Sequence, residues 1–337
     1  MSDADSRRLI VTPGDPAGIG PEVVLRALPA FAAASTATIA LIGPDSLWER
    51  AADRLGLPGP AATGIEIIPP HEPERFDEKL IARVLFAGRI LEESATLALA
   101  ALETAVALAL DSPARTGVVT GPVHKKALHN IGFSEPGQTE WFASCCGAEP
   151  LMLLAGGSLR VALITTHLPL RAVASDLTQD VTVEKLEILH TGLRERFGVA
   201  EPRIAVLALN PHGGIDAEEG EEERTILRPA IQTARTTGIE AAGPFSADAF
   251  FGRKNWRDYD AVLAPYHDQG LIPVKTEAAG AGVNVTLGLP IVRTSPDHGT
   301  AFAIAGQGEA DARATLAALR LGAALLRGEG AACRLNS

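Results

Sequence analysis

The stretch "VLAPYHDQGLIPVK", Val262 to Lys275, shows the pattern on which the prediction of the fold rests. An apolar run, residues 261–264, has the composition of a buried strand, and His267 and Asp268 follow it almost at once. In parallel α/β sheets, ligands gather at the carboxyl ends of the strands, so polar residues in this position indicate a site. Other apolar runs of the chain end in a similar way.

Strand-like runs alternate with segments of helical periodicity along the 337 residues. The strand-like runs are 8–12, 38–42, 65–68, 117–120, 151–155, 160–165, 203–209 and 260–264. Helical periodicity covers 79–110, 183–198, 223–238 and 310–328. This alternation predicts an α/β fold with a largely parallel sheet.

The composition excludes several classes of protein. The net charge is −11 and there is no long basic run, which argues against binding to nucleic acid or to an anionic membrane. Three cysteines without zinc-site spacing indicate a reduced, cytoplasmic protein. The longest apolar region, Leu97–Leu110, contains Glu103 and Thr104, so it is predicted to be a buried helix and not a membrane span.

Three histidines occupy the same position relative to the predicted sheet. His167, His212 and His267 each follow closely after a strand-like run. Three imidazoles with further coordination positions open suit a catalytic divalent metal such as zinc. His124 follows a fourth run, so four histidines compete for three ligand positions, and spacing alone does not choose among them.

Two further features suggest contacts with an anion. The glycine-rich turn Thr12–Glu22 joins a strand to a helix, and it is either a structural turn or a loop that offers backbone N–H groups to a ligand. It matches neither the dinucleotide fingerprint nor the P-loop pattern. Lys275, Asn284 and Arg293 flank apolar strand-like segments, which favours an inward-facing anion clamp.

Taken together, the motifs resemble one family over nearly the whole chain, the 4-hydroxythreonine-4-phosphate dehydrogenases of pyridoxal phosphate biosynthesis. The resemblance rests on "GDPAGIGPE", "TGPVHK", "TTHLPLR", "NPHGG", "YHDQGLIPVK" and "VNVTLGLPIVRTSPDHGTAFAIAG". It implies a two-lobed α/β fold like that of isocitrate and isopropylmalate dehydrogenases, with non-Rossmann binding of NAD. The lobes are expected to comprise residues 1–125 with 300–337, and residues 126–299.

The resemblance also assigns the candidate site. It implies that a divalent metal, preferably zinc with magnesium or cobalt as alternatives, binds to His167, His212 and His267, and that His124 lies outside the ligand set. The expected assembly is a homodimer with a shared active site, in which His267 comes from the neighbouring subunit.

Substrate and cofactor contacts follow from the same resemblance. The substrate-binding residues are expected to be Gln138, Thr139, Lys275, Asn284 and Arg293. The segment 297–311 is expected to hold NAD or NADP, with contacts from Asp297, His298, Gly299, Thr300 and Gly306.

The implied reaction is metal-dependent oxidation of a phosphorylated hydroxy acid, with hydride transfer to NAD(P), followed by β-decarboxylation. The metal lowers the pKa of the substrate hydroxyl so that a base can remove its proton. The candidate bases are Asp248, Asp268, Lys275 and a metal-bound water.

Two departures from the family pattern leave the substrate open. The family's "GHTE" is "GQTE" here, which puts Gln138 where the family has histidine, and Ile215 stands where the family has an acidic residue. The alternatives are a dehydrogenase of a non-phosphorylated hydroxy or dihydrodiol carboxylate, and a non-catalytic metabolite-binding protein.

Overall fold

The computed structural model describes residues 7–213, 220–333 and 335, and it confirms the α/β class with a largely parallel arrangement of strands. The chain divides into two units. Unit 1 comprises Met1–Ala148 and Leu289–Leu326, and unit 2 comprises Glu149–Gly288 and Arg327–Ser337.

Eight strands formed by the described residues agree with the eight predicted apolar runs, and β10 and β11 lie in the strand-like segments around Asn284 and Arg293, so β8 is the one addition. They are β1 Arg8–Val11, β2 Thr38–Ile42, β3 Glu66–Ile68, β4 Thr116–Val119, β5 Leu151–Gly156, β6 Leu159–Leu163, β7 Arg203–Leu207, β8 Glu240–Phe245, β9 Ala261–Ala264, β10 Val283–Leu287 and β11 Val292–Pro296.

The helices of the same residues lie mostly between strands, as an α/β chain requires. They are α1 Gly20–Ala32, α2 Asp45–Leu55, α3 Pro60–Thr63, α4 Glu78–Val84, α5 Glu92–Asp111, α6 Lys125–Asn130, α7 Gln138–Cys146, α8 Leu170–Asp176, α9 Gln179–Glu195, α10 Arg228–Thr236, α11 Ala247–Gly252, α12 His267–Ala278 and α13 Arg313–Leu326.

The strands of unit 1 lie in the order β3-β2-β1-β4-β11, and all of their pairings are parallel. Side chains of the strands, such as Ile10 and Val118, pack with Leu102 of α5 and Phe142 of α7 in one buried cluster. Because the strands are parallel, the turns after β1 and β4 emerge at the same edge of the sheet.

The strands of unit 2 lie in the order β10-β5-β6-β9-β7-β8. The pairs β10/β5 and β5/β6 are antiparallel, whereas β6/β9, β9/β7 and β7/β8 are parallel. The carboxyl ends of β6, β7 and β9 therefore share one edge, and the three candidate metal ligands follow these ends.

One predicted helix is wrong. The periodic segment 79–110 forms two helices, α4 and α5, which are separated by a turn in which Phe86 has a φ of 56° and Gly88 a φ of 67°. Both residues donate backbone hydrogen bonds to the strand–helix turn, from Phe86 to the Pro16 carbonyl (2.9 Å) and from Gly88 to the Ala17 carbonyl (2.9 Å). These tertiary hydrogen bonds break the helix where local periodicity continues.

The unit boundaries also differ from the expected lobe boundaries. Phe142 of α7, beyond the expected boundary at residue 125, belongs to the buried cluster of unit 1, and so do Leu289 and Ile291. At the carboxyl end, Gly330 donates to the Arg196 carbonyl (3.2 Å), which joins the segment after α13 to unit 2.

Helix α5 is, among the described residues, the one helix long and apolar enough to cross a membrane by length and composition. However, 56% of its most apolar 18-residue window is buried inside the protein. A buried core helix can pass the same test of length and composition as a membrane-spanning helix. The burial of α5 therefore supports the prediction of a core helix.

Candidate active site

Arg293 lies on β11 with only 2% of its surface exposed, and its guanidinium is held by side chains from two other segments of unit 1, the turn after β4 and helix α7. Its Nη2 donates to Thr120 Oγ1 (2.8 Å) and to Gln138 Oε1 (3.3 Å), and its Nη1 donates to Thr139 Oγ1 (3.4 Å). The guanidinium also lies over the ring of Phe142, 5.5 Å from the ring centroid. Three of the five expected substrate-binding residues are thus in contact.

Burial determines the protonation behaviour of this group. It lowers the pKa of Arg293 to about 10, and the charge of nearby Glu140 opposes the change. At neutral pH the guanidinium therefore remains protonated. A buried, oriented cation of this kind can bind a phosphate or carboxylate through two parallel hydrogen bonds.

Gln138 links the guanidinium to the backbone after β4. Its Oε1 accepts from Arg293, and its Nε2 donates to the Gly121 carbonyl (3.3 Å). An amide makes both contacts without a charge, whereas an imidazole would have to use one ring nitrogen as acceptor and the other as donor. The replacement of the family histidine thus preserves the link and removes a titratable group.

The two other expected substrate contacts belong to unit 2. Lys275 is exposed in the last turn of α12, and Asn284 lies on β10. The Oδ1 atom of Asn284 is buried, and within the described ranges no donor reaches it. A buried acceptor without a donor destabilises the folded protein, so this oxygen is suited to a ligand that supplies a hydrogen-bond donor.

Of the three candidate metal ligands, His167 and His267 lie together. Their ring centroids are 5.9 Å apart, and both line a cavity of about 270 Å³. His267 is the first residue of α12, and its Nδ1 is 2.7 Å from Asp268 Oδ1. A carboxylate that accepts the Nδ1 proton fixes the tautomer and leaves Nε2 as the metal-ligating atom.

His212 is held in an unusual backbone conformation, with φ of 58° and ψ of 13°. The segment around it is fixed by Asn210, whose backbone N–H donates to Glu223 Oε1 (2.8 Å) and whose side chain donates to Glu222 (2.8 Å) and again to Glu223 (3.0 Å). A left-handed conformation of a non-glycine residue persists only where its surroundings enforce it. Ile215 lies outside the described residues.

The donor chemistry fits a divalent metal only in part. Two imidazoles bound to one zinc have ring centroids roughly 5 Å apart, since Zn–N is about 2.0–2.1 Å. The pair within this chain is close to that value, an arrangement that competes with the expected supply of His267 by the neighbouring subunit. Within the described residues, however, no group of three or more histidine, cysteine, aspartate or glutamate side chains could hold a metal. The ligand set of His167, His212 and His267 remains a prediction.

The expected cofactor contacts lie in residues 297–311, which we call the cofactor segment. His298 Nδ1 is 3.2 Å from the Gly299 carbonyl, and its Nε2 is buried with no hydrogen-bonding group of the described chain in reach. Next to this segment, His124 stacks on Phe302 with ring centroids 5.4 Å apart. The unmatched nitrogen fits a segment that binds a polar ligand, and the stacking joins His124 to the same segment.

Asp15 is a buried acidic residue that sequence reasoning did not select. Only 1% of its surface is exposed, and Oδ1 accepts from the Ala17 backbone (3.0 Å) and from the Ser94 hydroxyl. Burial raises the pKa of Asp15, and the hydrogen bonds from Ser94 and Ala17 and the nearby His124 act in the opposite direction. Its place in "GDPAGIGPE" was the available signal, but the motif alone does not show that its two acidic residues, Asp15 and Glu22, are both buried.

The raised pKa of Asp15 leads to a prediction about stability. The folded state binds the proton more tightly, so ionisation costs stability once the pH exceeds 3.8, and the full cost applies above the folded pKa. We therefore compare the stability of Asp15→Asn with that of wild type at two pH values. The difference should shift in favour of the variant as the pH rises from 4 to 7.5. An effect of about 1 kcal/mol corresponds to about 2–4 °C in Tm for a domain of 150–250 residues.

Calorimetry of both proteins at both pH values measures this difference. Asp311→Asn is a control of opposite sign, because hydrogen bonds from Arg313 lower the pKa of Asp311, so its stabilising contribution is complete above the unfolded pKa and is lost as the pH falls through the lower folded pKa. A difference between Asp15→Asn and wild type that stays constant with pH would contradict the assignment.

Comparison with known proteins identifies the family. The family model described as pyridoxal phosphate biosynthetic protein PdxA matches residues 35–322. The chain is 43% identical to a 4-hydroxythreonine-4-phosphate dehydrogenase of Erythrobacter litoralis, over 98% of each chain. The expectation of a dehydrogenase, and not a non-catalytic binding protein, agrees with the names of such relatives.

Solved structures give the same result. A 4-hydroxythreonine-4-phosphate dehydrogenase from Klebsiella pneumoniae superposes with a TM-score of 0.81 at 34% identity, covering 95% of this chain and 100% of the other. A terephthalate 1,2-cis-dihydrodiol dehydrogenase from Burkholderia xenovorans superposes with a TM-score of 0.64 at 28% identity, covering 95% and 98%. With a family model that spans most of the sequence and relatives that match it nearly end to end, the chain belongs to the PdxA family of pyridoxal phosphate biosynthetic proteins.

Proposed function

We propose that this chain oxidises 4-hydroxythreonine 4-phosphate, or a close phosphorylated hydroxy acid, in a metal-dependent, NAD(P)-linked reaction that ends in β-decarboxylation. The observation that carries the proposal is the buried guanidinium of Arg293, oriented by Thr120, Gln138 and Thr139. Such a cation is suited to a phosphate group, and the names of the relatives supply the substrate.

The residues of unit 2 are suited to activating a hydroxyl group. A divalent metal, when bound, supplies positive charge that lowers the pKa of the substrate hydroxyl and stabilises an enolate after loss of CO2. His167, His212 and His267 would hold it, and Asp268 would keep His267 in the ligating tautomer. The cofactor segment would hold NAD or NADP.

The candidate bases differ in suitability. The hydrogen bond from Ser246, followed by that from the Ala249 backbone, lowers the pKa of Asp248, which makes this carboxylate a weak base at neutral pH. Asp268 is engaged with His267. Lys275 lies seven residues after Asp268 in α12 and therefore on nearly the same face of the helix. We prefer Lys275 as the base that this chain supplies.

A second candidate substrate class has support of its own. Gln138 is neutral where the family pattern has histidine, and a dihydrodiol dehydrogenase is among the structural relatives at 28% identity. A non-phosphorylated dihydrodiol carboxylate could occupy the same guanidinium through its carboxylate. This alternative predicts a preference for carboxylates without phosphate.

The discriminating experiment is an assay of NADH and NADPH formation with matched substrates. Purified protein, with and without added zinc, magnesium or cobalt, is offered 4-hydroxythreonine 4-phosphate, its dephosphorylated form and a dihydrodiol carboxylate, and released CO2 is measured. We expect turnover of the phosphorylated compound only when a metal is present. Turnover of the dihydrodiol alone would support the alternative, and no reduction of either nucleotide would refute both.

We also propose a cytoplasmic homodimer with a shared active site. Cys145 and Cys146 are free thiols, in keeping with a reducing compartment. Leu168 and Leu170, which line the cavity of His167 and His267, are 40% and 69% exposed, as expected of a surface that a second subunit covers.

Mixing two inactive variants tests the shared site. If His267 completes the site of the neighbouring subunit, a mixture of His167→Ala and His267→Ala should regain about a quarter of wild-type activity at most, because one of the two sites in a hybrid dimer is intact. Subunit exchange is verified by native mass spectrometry. If subunits exchange but activity is not recovered, the adjacent imidazoles of His167 and His267 act within one chain instead.

A further inference from the structure

Glu22 closes the motif "GDPAGIGPE", yet its carboxylate contacts the far end of the chain. The residue is fully buried on α1, and its Oε1 accepts a hydrogen bond from the backbone N–H of Ala310 (2.9 Å). Ala310 lies in the cofactor segment, 288 residues further along the chain. A buried carboxylate requires such a donor, because an unmatched buried charge is strongly destabilising.

Arg26, one turn later on α1, adds a second contact with the same segment. Its Nε is 3.3 Å from Glu22 Oε1, and its Nη2 donates to the Gly308 carbonyl. The two side chains therefore form one ion pair that contacts the cofactor segment at two points. The carboxylate accepts from one backbone group, and the guanidinium donates to another.

The other end of the cofactor segment is held by the backbone of the same motif. The N–H of Ile19 donates to the Thr300 carbonyl (2.9 Å). Gly18 permits this approach, because a Cβ atom at that position would lie 2.5 Å from the Thr300 oxygen. At the Ala310 end, the side chains of Ile19 and Val23 pack against Ala310 in a small buried cluster.

The same contacts argue against a ligand loop at this turn. The backbone N–H groups of Asp15, Ala17, Gly18 and Ile19 already donate to acceptors of the protein. Gly20 is enclosed as well, since a Cβ there would lie 1.9 Å from the Pro13 carbonyl. These groups are engaged within the protein, so the motif acts as a support for another segment.

We propose that Glu22, together with Arg26, is a positioning residue for the cofactor segment and thereby sets the affinity for the dinucleotide. The inference rests on the proposed function, since it assumes that residues 297–311 contact NAD or NADP. The ion pair fixes the backbone near Gly308 and Ala310, so the groups that contact the dinucleotide are oriented before it binds. Pre-organisation of this kind improves affinity by reducing the ordering cost of binding.

Two measurements on Glu22→Ala and Glu22→Gln test the proposal in the full-length protein. Hydrogen exchange reports whether residues 297–311 are loosened, independently of any cofactor. Calorimetric titration with NAD and with NADP reports the Kd. We expect faster exchange in the segment and a Kd raised about tenfold or more in Glu22→Ala, the size expected for loss of a hydrogen bond to a charged group. Glu22→Gln keeps an acceptor for the Ala310 N–H, so its Kd for the dinucleotide should increase less than that of Glu22→Ala.

Glu149→Gln is the matched control. Glu149 pairs with the buried Lys185 at 2.7 Å in unit 2, so its loss should lower Tm without changing the Kd for dinucleotide. Metal content and substrate affinity should stay at wild-type values in the Glu22 variants. If Glu22→Ala does not fold, Glu22→Gln and Arg26→Gln provide the same comparison.

The outcomes separate the two proposals. Unchanged exchange in residues 297–311, or an unchanged Kd despite faster exchange, would overturn the positioning role while the proposed function stands. A wild-type protein that binds neither NAD nor NADP would overturn the proposed function, and with it the role of Glu22 in cofactor affinity.

Discussion

His167→Ala is expected to lose most of its bound metal and to turn over substrate at least about 1,000-fold more slowly than wild type. A catalytic metal contributes several kcal/mol to stabilisation of the transition state, and about 1.4 kcal/mol corresponds to a factor of ten in rate. His212→Ala and His267→Ala should behave in the same way if the three imidazoles form the ligand set. Metal content is measured by mass spectrometry of the dialysed protein, and turnover is measured as formation of reduced nucleotide.

His124→Ala serves as the control for metal content. The Nδ1 atom of His124 caps α6, and its ring stacks on Phe302 in unit 1. Its replacement should leave metal content near that of wild type. Equal metal loss in all four variants would show that the ligand assignment is wrong.

Arg293→Ala is expected to lower kcat/KM for a phosphorylated substrate by about 100-fold or more and to have little effect on its dephosphorylated analogue. A guanidinium can donate two hydrogen bonds to a phosphate, each worth about 1.5–3 kcal/mol when a charged group is involved. Arg293→Lys retains the positive charge but lacks the planar guanidinium. Its kcat/KM for the phosphorylated substrate should lie between those of Arg293→Ala and wild type. Steady-state kinetics with both compounds, together with Tm for each variant, separate recognition from loss of stability.

Gln138→His adds a second comparison on the same assay. If the glutamine marks a different substrate, histidine should shift preference toward 4-hydroxythreonine 4-phosphate. If that compound is already the substrate, the change should be neutral or harmful. Two results together would contradict the phosphate assignment. One is an equal loss of kcat/KM with the phosphorylated and the dephosphorylated compound in Arg293→Ala. The other is a preference of the wild-type protein for the unphosphorylated compound.

The strands were predictable because their apolar runs are short, continuous and bounded by turn residues. The strand β8, "EAAGPF", was not, since Gly243 and Pro244 interrupt its pattern. Helix α12 carries Gly270 and Pro273, both unfavourable inside a helix, and it forms nevertheless because Leu271 and Val274 are buried against unit 2. In both cases tertiary packing outweighs local preference.

The candidate site was predictable as residue types but not as contacts. The histidines at the ends of β6, β7 and β9 follow from strand order alone, whereas the contact between Arg293 and Thr120 joins residues 173 positions apart. Glu22 and Ala310 are separated even further. Long-range pairs of this kind depend on the register of the folded sheet, which no local window of sequence contains.

The amide at position 138 makes the anion site tolerant of acid. Arg293, with a pKa of about 10, and the uncharged Thr120, Gln138 and Thr139 keep the same charge from pH 8 down to pH 5. An imidazole at position 138 would gain a proton in this range. If the proposed phosphate binds here, Thr120, Gln138, Thr139 and Arg293 add no change of charge of their own to the second ionisation of that phosphate, near pH 6. The charge of the groups around the Arg293 guanidinium that this chain supplies at positions 120, 138 and 139 therefore stays constant through a fall in pH that would protonate an imidazole at position 138.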